Sequence, residues 1–279
     1  MTAIKVTRQP SFHDGGMSAS AIAVFSTTRS PSVFLPKEHG SWSLALEPIS
    51  LGLFVAFSPA GGALAVSAIA AFFLRRPLKR LATRRDPASA RAVTLLGFCA
   101  LGGLAAAVIL AGWAPLRWLI PTLPLGGLFL YWDSQNESRA TQAELAACGV
   151  FAFLPAAMAA QAGLPDQTAL ALCVLMLARS LPTVLIIRTY LRRRKGHAVS
   201  TAPAVSVTAL TLAALLTLAA TAAVPWIAVL LITLAALRVL LLVPALAPDW
   251  PARRIGIGEA CFGLLFLLTT SIAWAGLLP

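Results

Sequence analysis

The chain has 279 residues, of which 11% are charged and 58% are hydrophobic, and its mean hydropathy is +0.83. A soluble domain has about 25% charged residues, so this composition excludes an ordinary soluble protein and indicates an integral membrane protein. Membrane topology accounts for the formal net charge of +12, and no nucleic-acid partner is needed to explain it.

The first element in the chain is a polar segment over residues 1–33, rich in Ser, Thr, Gly and Pro. Its one apolar patch, AIAVF, is too short for the core of a signal peptide. We therefore predict a disordered polar tail, followed by one transmembrane helical domain over residues 34–279.

Apolar runs of about 17–25 residues, which cross ~30 Å of hydrocarbon as helix, recur from about residue 40 to the C-terminus. Glycine, proline and charged clusters separate them. The sequence therefore predicts an all-α, polytopic membrane helix bundle. Its nine helices are expected at about residues 40–58, 61–75, 92–112, 116–132, 142–161, 168–190, 203–222, 225–243 and 255–277.

The distribution of Lys and Arg orients this bundle. With the N-terminus inside, the inner segments hold nineteen of the 22 Lys and Arg residues, and the outer segments hold Arg117 alone. Arg179 and Arg238 lie within predicted spans. Because cytoplasmic loops carry the excess of basic residues, we predict a cytoplasmic N-terminus and an outside C-terminus.

A weak internal repeat of four helices relates residues 37–132 to residues 142–243. A basic run follows the second helix of each half, a Trp–Asp pair closes the fourth helix, and an Asp–Trp pair follows the eighth. These features predict a parallel 4+4 repeat with a ninth helix added, whose two basic loops meet on one face.

Ionisable residues lie inside the predicted spans. At 1.5 Å per residue, Glu47 is roughly 10 Å and Arg179 roughly 14 Å from the inner surface. A charge inside the bilayer costs about 2.5–3.5 kcal/mol on insertion scales, so each marks a candidate functional site. We predict that Glu47 and Arg179 pair or share a small polar cavity; the simpler alternative is that they only lock two helices together. Arg238 and Glu259 are predicted to pack against each other or against a basic loop.

The inner ends of the predicted helices carry the candidate chemistry. Histidine titrates near neutral pH, so His39 suits proton transfer, together with Glu38 and Glu47 as candidate catalytic residues. For His39 and Lys37, contact with lipid headgroups is the alternative. The guanidinium group of arginine can donate two parallel hydrogen bonds to a phosphate or a carboxylate. The candidate substrate or anion-binding residues are Lys37, Arg75, Arg76, Lys79, Arg179, Thr183 and Arg188. We expect these groups to line one cytoplasm-facing chamber between helices 1 and 6.

The segment YWDSQNESR offers two carboxylates four residues apart, Asp133 and Glu137. Carboxylate oxygens suit Mg²⁺, so these two residues are the candidate metal ligands. The alternative is a solvated helix start in which Glu137, Arg139 and Glu144 exchange salt bridges.

Four motifs resemble the YwiC-like family of bacterial membrane proteins: PKEHGSW, RRPLKR, DSQNESR and RSLPTVLIIRTYLRRR. The resemblance extends over about residues 34–277. The expected architecture is also similar to that of the UbiA superfamily of membrane prenyltransferases. That similarity implies functional loops after helices 2 and 6, which in the superfamily carry Asp-rich motifs that bind diphosphate through magnesium. Here the same loops carry Arg and Lys and no DxxxD motif.

We therefore expect a multi-pass protein of the bacterial plasma (inner) membrane. The leading hypothesis is a UbiA-like transferase without the usual Asp-rich motifs, which binds an anionic, phosphate-bearing lipid or isoprenoid at the cytoplasmic side. The alternatives are a small-anion transporter and a non-catalytic membrane assembly protein. The expected partners are the lipid bilayer and anionic headgroups.

Overall fold

The computed structural model describes residues 39–84, 86–243 and 249–276, and within these ranges all regular structure is helical. The predicted tail, Lys37 and Glu38 lie outside the described residues. The described residues belong to one compact unit, Val33–Pro279.

The first half of the bundle contains five α-helices and one short 3-10 helix. In chain order these are α1 His39–Val55, α2 Pro59–Arg84, α3 Pro87–Ala111, the 3-10 helix Ala114–Leu119, α4 Thr122–Ser134 and α5 Thr141–Gln161. The second half contains five α-helices. These are α6 Asp166–Arg194, α7 Ala202–Ala220, α8 Trp226–Ala236, α9 Arg238–Leu242 and α10 Ala252–Ala275.

Each of the nine predicted segments overlaps a helix, with two differences in detail. Helix α2 continues to Arg84, so the first basic run lies on a helix and not in a loop. The eighth segment is interrupted at Leu237, where α8 ends and α9 begins. In the described part of the chain, six helices are long and apolar enough to cross a membrane, while Ser43–Val55 and Trp226–Ala236 are shorter apolar helices. A count of nine crossings stays a prediction.

Helices α5 and α6 form the centre of the bundle, and α3 lies at its periphery. In an apolar 18-residue window of α5, 67% of the window is buried inside the protein, whereas in that of α3 the buried share is 11%. Two glycines permit close helix crossings. A Cβ added at Gly52 of α1 would lie 3.0 Å from the Cα of Pro155 in α5. A Cβ added at Gly103 of α3 would lie 2.7 Å from the carbonyl oxygen of Ala63 in α2. Small residues at such crossings let helix backbones pack closely in a membrane.

Asp86 fixes the start of α3. Its carboxylate accepts hydrogen bonds from the Ser89 backbone N–H at 3.0 Å and from the Ser89 hydroxyl at 2.5 Å, so it serves as the N-cap. The side-chain hydrogen bond from Ser89, followed by the backbone one, lowers the pKa of Asp86 below its ordinary value of 3.8. Residues at this position satisfy backbone donors that the first turn of a helix leaves unpaired.

One end of the bundle collects most of the charge. Ion pairs join Arg75 in the second half of α2 to Asp133 in the last turn of α4, and Arg188 near the end of α6 to Glu144 in the first turn of α5. The second half of α2 and the ends of α4 and α6 therefore lie together with the start of α5. We call this region the basic end. Its other basic residues on α2 and α6 are Arg76, Lys79, Arg80, Arg192, Arg193 and Arg194.

The two described residues that precede Pro251 and α10, Asp249 and Trp250, lie at the basic end. Arg194 of α6 forms an ion pair with Asp249 and donates a 2.8 Å hydrogen bond to the Trp250 carbonyl oxygen. The Tyr190 hydroxyl lies 3.0 Å from the same carbonyl oxygen and 2.8 Å from the Trp250 backbone nitrogen.

Candidate functional site

Two arginines and two glutamates meet in the interior of the bundle. Arg179 of α6 places its Nε 3.4 Å from Glu47 Oε2 of α1 and its Nη1 3.3 Å from Glu259 Oε2 of α10. Arg238, the first residue of α9, forms a second ion pair with Glu259. We call these four residues the charge network. They connect helices that are far apart in the sequence.

The charge network contains two positive and two negative groups, which offsets the cost of burying them. The Arg179 side chain is only 3% exposed, and a buried charge without a partner is strongly unfavourable. The Thr183 hydroxyl accepts hydrogen bonds from Arg179 Nη1 at 2.8 Å and from Arg238 Nη2 at 3.0 Å. The Phe262 ring also lies 5.2 Å from the Arg179 guanidinium, a favourable cation–π distance.

Gly263 permits α10 to approach the charge network. A Cβ at this position would collide with Glu47 Oε1 and would lie 2.8 Å from Glu47 Cδ and 3.3 Å from Arg179 Nη2. Any larger residue would therefore push the Glu47 carboxylate away from its partners. Gly263 was not among the residues singled out in the sequence, because a glycine in an apolar helix has no pattern that marks it.

Both predicted interior pairs are confirmed: Glu47 contacts Arg179, and Arg238 contacts Glu259. Between α1 and α6, Arg179 and Glu47 are in direct contact. A cavity of about 10 Å³ adjoins the network beside α6, α7 and α8. The predicted chamber also includes Lys37 and Glu38, which lie outside the described residues, so it stays a prediction. The Ser43 hydroxyl donates a hydrogen bond to Glu47 and completes that side of the network.

At the basic end, two of the predicted anion-binding residues hold a carboxylate of the protein itself. Arg75 Nη2 lies 2.7 Å from Asp133 Oδ1, and Lys79 Nζ lies 2.8 Å from the Asp133 carbonyl oxygen and 3.5 Å from Oδ1. The Arg75 guanidinium also lies over the Phe129 ring at 4.7 Å. These contacts join α2 to α4.

This arrangement does not favour Mg²⁺ at the predicted metal ligands, because cationic side chains already neutralise Asp133. Glu137 is exposed, four residues further along the chain. The chain forms no cluster of three or more His, Cys, Asp or Glu side chains suited to a metal in the part that the structure describes.

An open cleft of about 460 Å³ lies at the basic end, between the α4–α5 turn and the last turns of α6. We call it the basic cleft. It is lined by Glu137, Arg139, Ala140, Thr141, Gln142, Arg188 and Arg192.

Arg188 is the best-anchored side chain of the basic cleft. Its Nε donates a 2.6 Å hydrogen bond to Glu144 Oε2, and its Nη1 lies 3.3 Å from the Thr141 hydroxyl. Its Nη2 donates to the carbonyl oxygen of Arg139. Arg188 was predicted as an anion-binding residue, whereas Glu144 was predicted only as part of a solvated salt-bridge group. The structure pairs Glu144 with Arg188 of α6, a partner that this alternative did not include.

The structure places the predicted site residues that it describes in separate groups. Glu47, Arg179 and Thr183 belong to the charge network, Arg75 and Lys79 hold Asp133, and Arg188 lines the basic cleft. Of the other predicted residues, His39 begins α1 and Arg76 is half-buried on α2. Arg192 was missed as a lining residue, although its place in the RRR run at the end of α6 gave a usable signal.

The fold and the apolar helices define a multi-pass helical membrane protein. Residues 35–159 match the family model described as YwiC-like protein, so the predicted resemblance is confirmed over that part of the chain. Its predicted extension to about residue 277 stays a prediction. The matched range covers α1 to α5 and includes the cleft residues of the α4–α5 turn, but not α6. No curated protein and no solved structure matches the chain.

Proposed function

We propose that the protein binds the phosphate group of an anionic lipid in the basic cleft, with the basic end facing the cytoplasm of a bacterial plasma membrane. The observation that carries this proposal is the lining of the cleft. Three arginines, Arg139, Arg188 and Arg192, face one lining carboxylate, Glu137. Guanidinium groups bind phosphate oxygens through paired hydrogen bonds, and Thr141 and Gln142 add further donors.

The dimensions and position of the cleft support a lipid headgroup. A volume of about 460 Å³ falls within the range of about 300–1,000 Å³ that is usual for small-molecule sites. The cleft lies at the boundary between the apolar parts of α5 and α6 and the basic end. An anionic headgroup there would keep its acyl chains beside the apolar helices.

The charge distribution supports a cytoplasmic basic end. The opposite end carries the ion pair between Arg117 and Asp166, which is electrically neutral. An excess of basic residues on one side is the usual mark of the cytoplasmic side. Nine crossings with an outside C-terminus follow if α8 and α9 together form one crossing and if α1 and α4 also cross.

In a UbiA-like transferase reaction, the proton-transfer groups would come from the cleft. Arg179 lies nine residues before Arg188 on α6, or roughly 14 Å at 1.5 Å per residue. Glu47, held by Arg179, is therefore remote from a phosphate bound at Arg188. Glu137 and Glu144 are the carboxylates within reach of that position, and they replace Glu47 as candidate acids or bases.

A small-anion transporter is the second candidate, because intramembrane arginines such as Arg179 are typical of transport pathways. Uptake of a labelled anion into proteoliposomes distinguishes it from a lipid-binding protein. Uptake that is abolished when Arg179 is replaced would support transport.

The test of the leading proposal is the amount of lipid phosphate that co-purifies with the protein in mild detergent, identified by mass spectrometry. Replacing Arg188 and Arg192 with Ala should lower retention by about tenfold or more, because each lost charge-assisted hydrogen bond is worth about 1.5–3 kcal/mol. Arg194→Ala is the matched control: it removes the same charge from the same helix end, where Arg194 is paired with Asp249. Equal losses in all variants would overturn the proposal.

A further inference from the structure

We propose that the small cavity between α6, α7 and α8 binds one ordered water molecule, which completes the hydrogen bonding of Arg238 and links α7 to the charge network. This site is independent of the basic cleft. The inference follows from the size of the cavity, the hydrogen-bonding groups that line it and the charge balance around it.

The cavity has a volume of about 10 Å³, which is about the smallest space that holds one water molecule. Apolar walls come from Ala178, Pro182, Ile232, Ala235 and Ala236. Its polar groups come from three different segments: Thr183 of α6, Thr208 and Thr211 of α7, and Arg238 of α9. A water here would therefore have polar partners on more than one side.

The hydroxyl oxygens of Thr208 and Thr211 in α7 can each accept a hydrogen bond from a water. The Thr208 hydroxyl donates its hydrogen to the Ala204 carbonyl oxygen at 2.6 Å, and the Thr211 hydroxyl donates to the Val207 carbonyl oxygen at 2.8 Å. Each hydroxyl oxygen also has two lone pairs. Thr183 differs, because its oxygen already accepts two hydrogen bonds from arginines while its hydrogen is directed to the Arg179 carbonyl oxygen at 2.7 Å.

Arg238 has donor capacity to match. Its Nε donates to the Ala235 carbonyl oxygen at 2.6 Å, its Nη2 donates to Thr183 at 3.0 Å, and its Nη1 pairs with Glu259. A guanidinium carries five N–H donors. These three contacts use three of them, so two N–H groups of Arg238 remain to bind a water. A water that accepts from Arg238 and donates to Thr208 and Thr211 makes three hydrogen bonds, which is the usual number for a buried water.

Charge and geometry favour water over an ion. The charge network is neutral, with two arginines against two glutamates, so the cavity offers no net charge to attract an anion or a cation. The cavity also lies beside the interruption between α8 and α9. Non-helical backbone at membrane depth is found where it is buried in protein or lines a polar cavity.

A crystal structure of the full chain in a lipidic mesophase, at a resolution that shows ordered waters, tests the proposal. We expect one water within hydrogen-bond distance of Thr208 Oγ1, Thr211 Oγ1 and an Arg238 nitrogen. A dry cavity, or density that contacts only one of these groups, would overturn it.

A second measurement compares isosteric variants. Thr208→Val combined with Thr211→Val removes both acceptors while nearly keeping the side-chain volume, so the thermal unfolding midpoint in detergent should fall by about 3 °C or more. Thr217→Val is the matched control, since the exposed Thr217 hydroxyl also bonds to its own helix, at Ala214. Equal midpoints for the double variant and the control would contradict a water-mediated link.

Discussion

The charge network and the basic cleft both place an arginine of α6 against a glutamate, yet they differ in burial and in charge balance. The Arg179 side chain is 3% exposed and that of Arg188 is 21% exposed. The network matches two arginines with two glutamates, whereas three arginines and one glutamate line the cleft. The buried arginine is thus committed to joining helices. In the cleft, three arginines outnumber two carboxylates, Glu137 and the Glu144 that pairs with Arg188, and these arginines are the groups that the proposed ligand would contact.

The largest expected effect comes from breaking the network at its centre. Arg179→Met leaves Glu47 and Glu259 with one guanidinium between them, so the free energy of unfolding should fall by about 3–5 kcal/mol. Denaturant unfolding in detergent micelles measures this change. Arg117→Ala is the control, because its partner Asp166 is exposed and such pairs contribute about 0–1 kcal/mol. Similar losses in both variants would contradict the role given to burial.

The next effect tests the close approach of α10 to the network. Gly263→Ala places a methyl group against the Glu47 carboxylate, and overpacking of this kind costs about 1–3 kcal/mol. Gly256→Ala on the same helix is the matched control: no heavy atom lies within 4 Å of its added Cβ, so only the higher helix propensity of Ala should act there. If both variants unfold at the same denaturant concentration, the network does not depend on that contact.

A smaller effect is expected when the internal partner of Arg188 is neutralised. Glu144 already occupies the Nε side of this guanidinium, so Glu144→Gln should raise the affinity of the cleft for phosphate-bearing lipid by about 3- to 10-fold. Titration of vesicles that contain phosphatidic acid measures the affinity. Asp249→Asn makes the same charge change at the Arg194 pair, away from the cleft, and should leave the affinity unchanged. A weaker affinity in Glu144→Gln would show that Glu144 positions Arg188 for the ligand.

The smallest effect concerns the helix cap, which belongs to neither charged region. Hydrogen bonds from Ser89 lower the pKa of Asp86. The contribution of Asp86 to stability is therefore present above its ordinary value of 3.8 and is lost as the pH falls through its lower value in the folded state. The stability of Asp86→Asn should depend less on pH over that range than the stability of the wild type. Identical pH profiles would remove Asp86 as the cause.

The sequence predicted the helices well because apolar length is a local property. Every predicted span overlaps a helix, and the depths of Glu47 and Arg179 correctly predicted their contact. The interruption at Leu237 was missed because the apolar pattern continues through it, and Arg238 lies at the break. Neither glycine nor proline marks that position in the sequence.

The site was predicted less well, because the choice of partners depends on how helices pack. Asp133 pairs with Arg75 from a helix that is 58 residues away in the chain, and no local pattern distinguishes such a partner from a metal ligand. The same holds for Glu144, which is 44 residues from Arg188. The expectation was one shared chamber for these polar groups. Among the described residues, packing divides them among the charge network, the contacts of Arg75 and Lys79 with Asp133, and the basic cleft.

The most direct test of this division is the lipid phosphate retained per protein molecule by two purified variants, Arg188→Ala and Gly263→Ala. We expect Arg188→Ala to lose the bound phosphate, and Gly263→Ala to keep it despite its lower stability. Retention by Arg188→Ala, or an equal loss from both variants, would contradict a cleft that binds phosphate separately from the charge network.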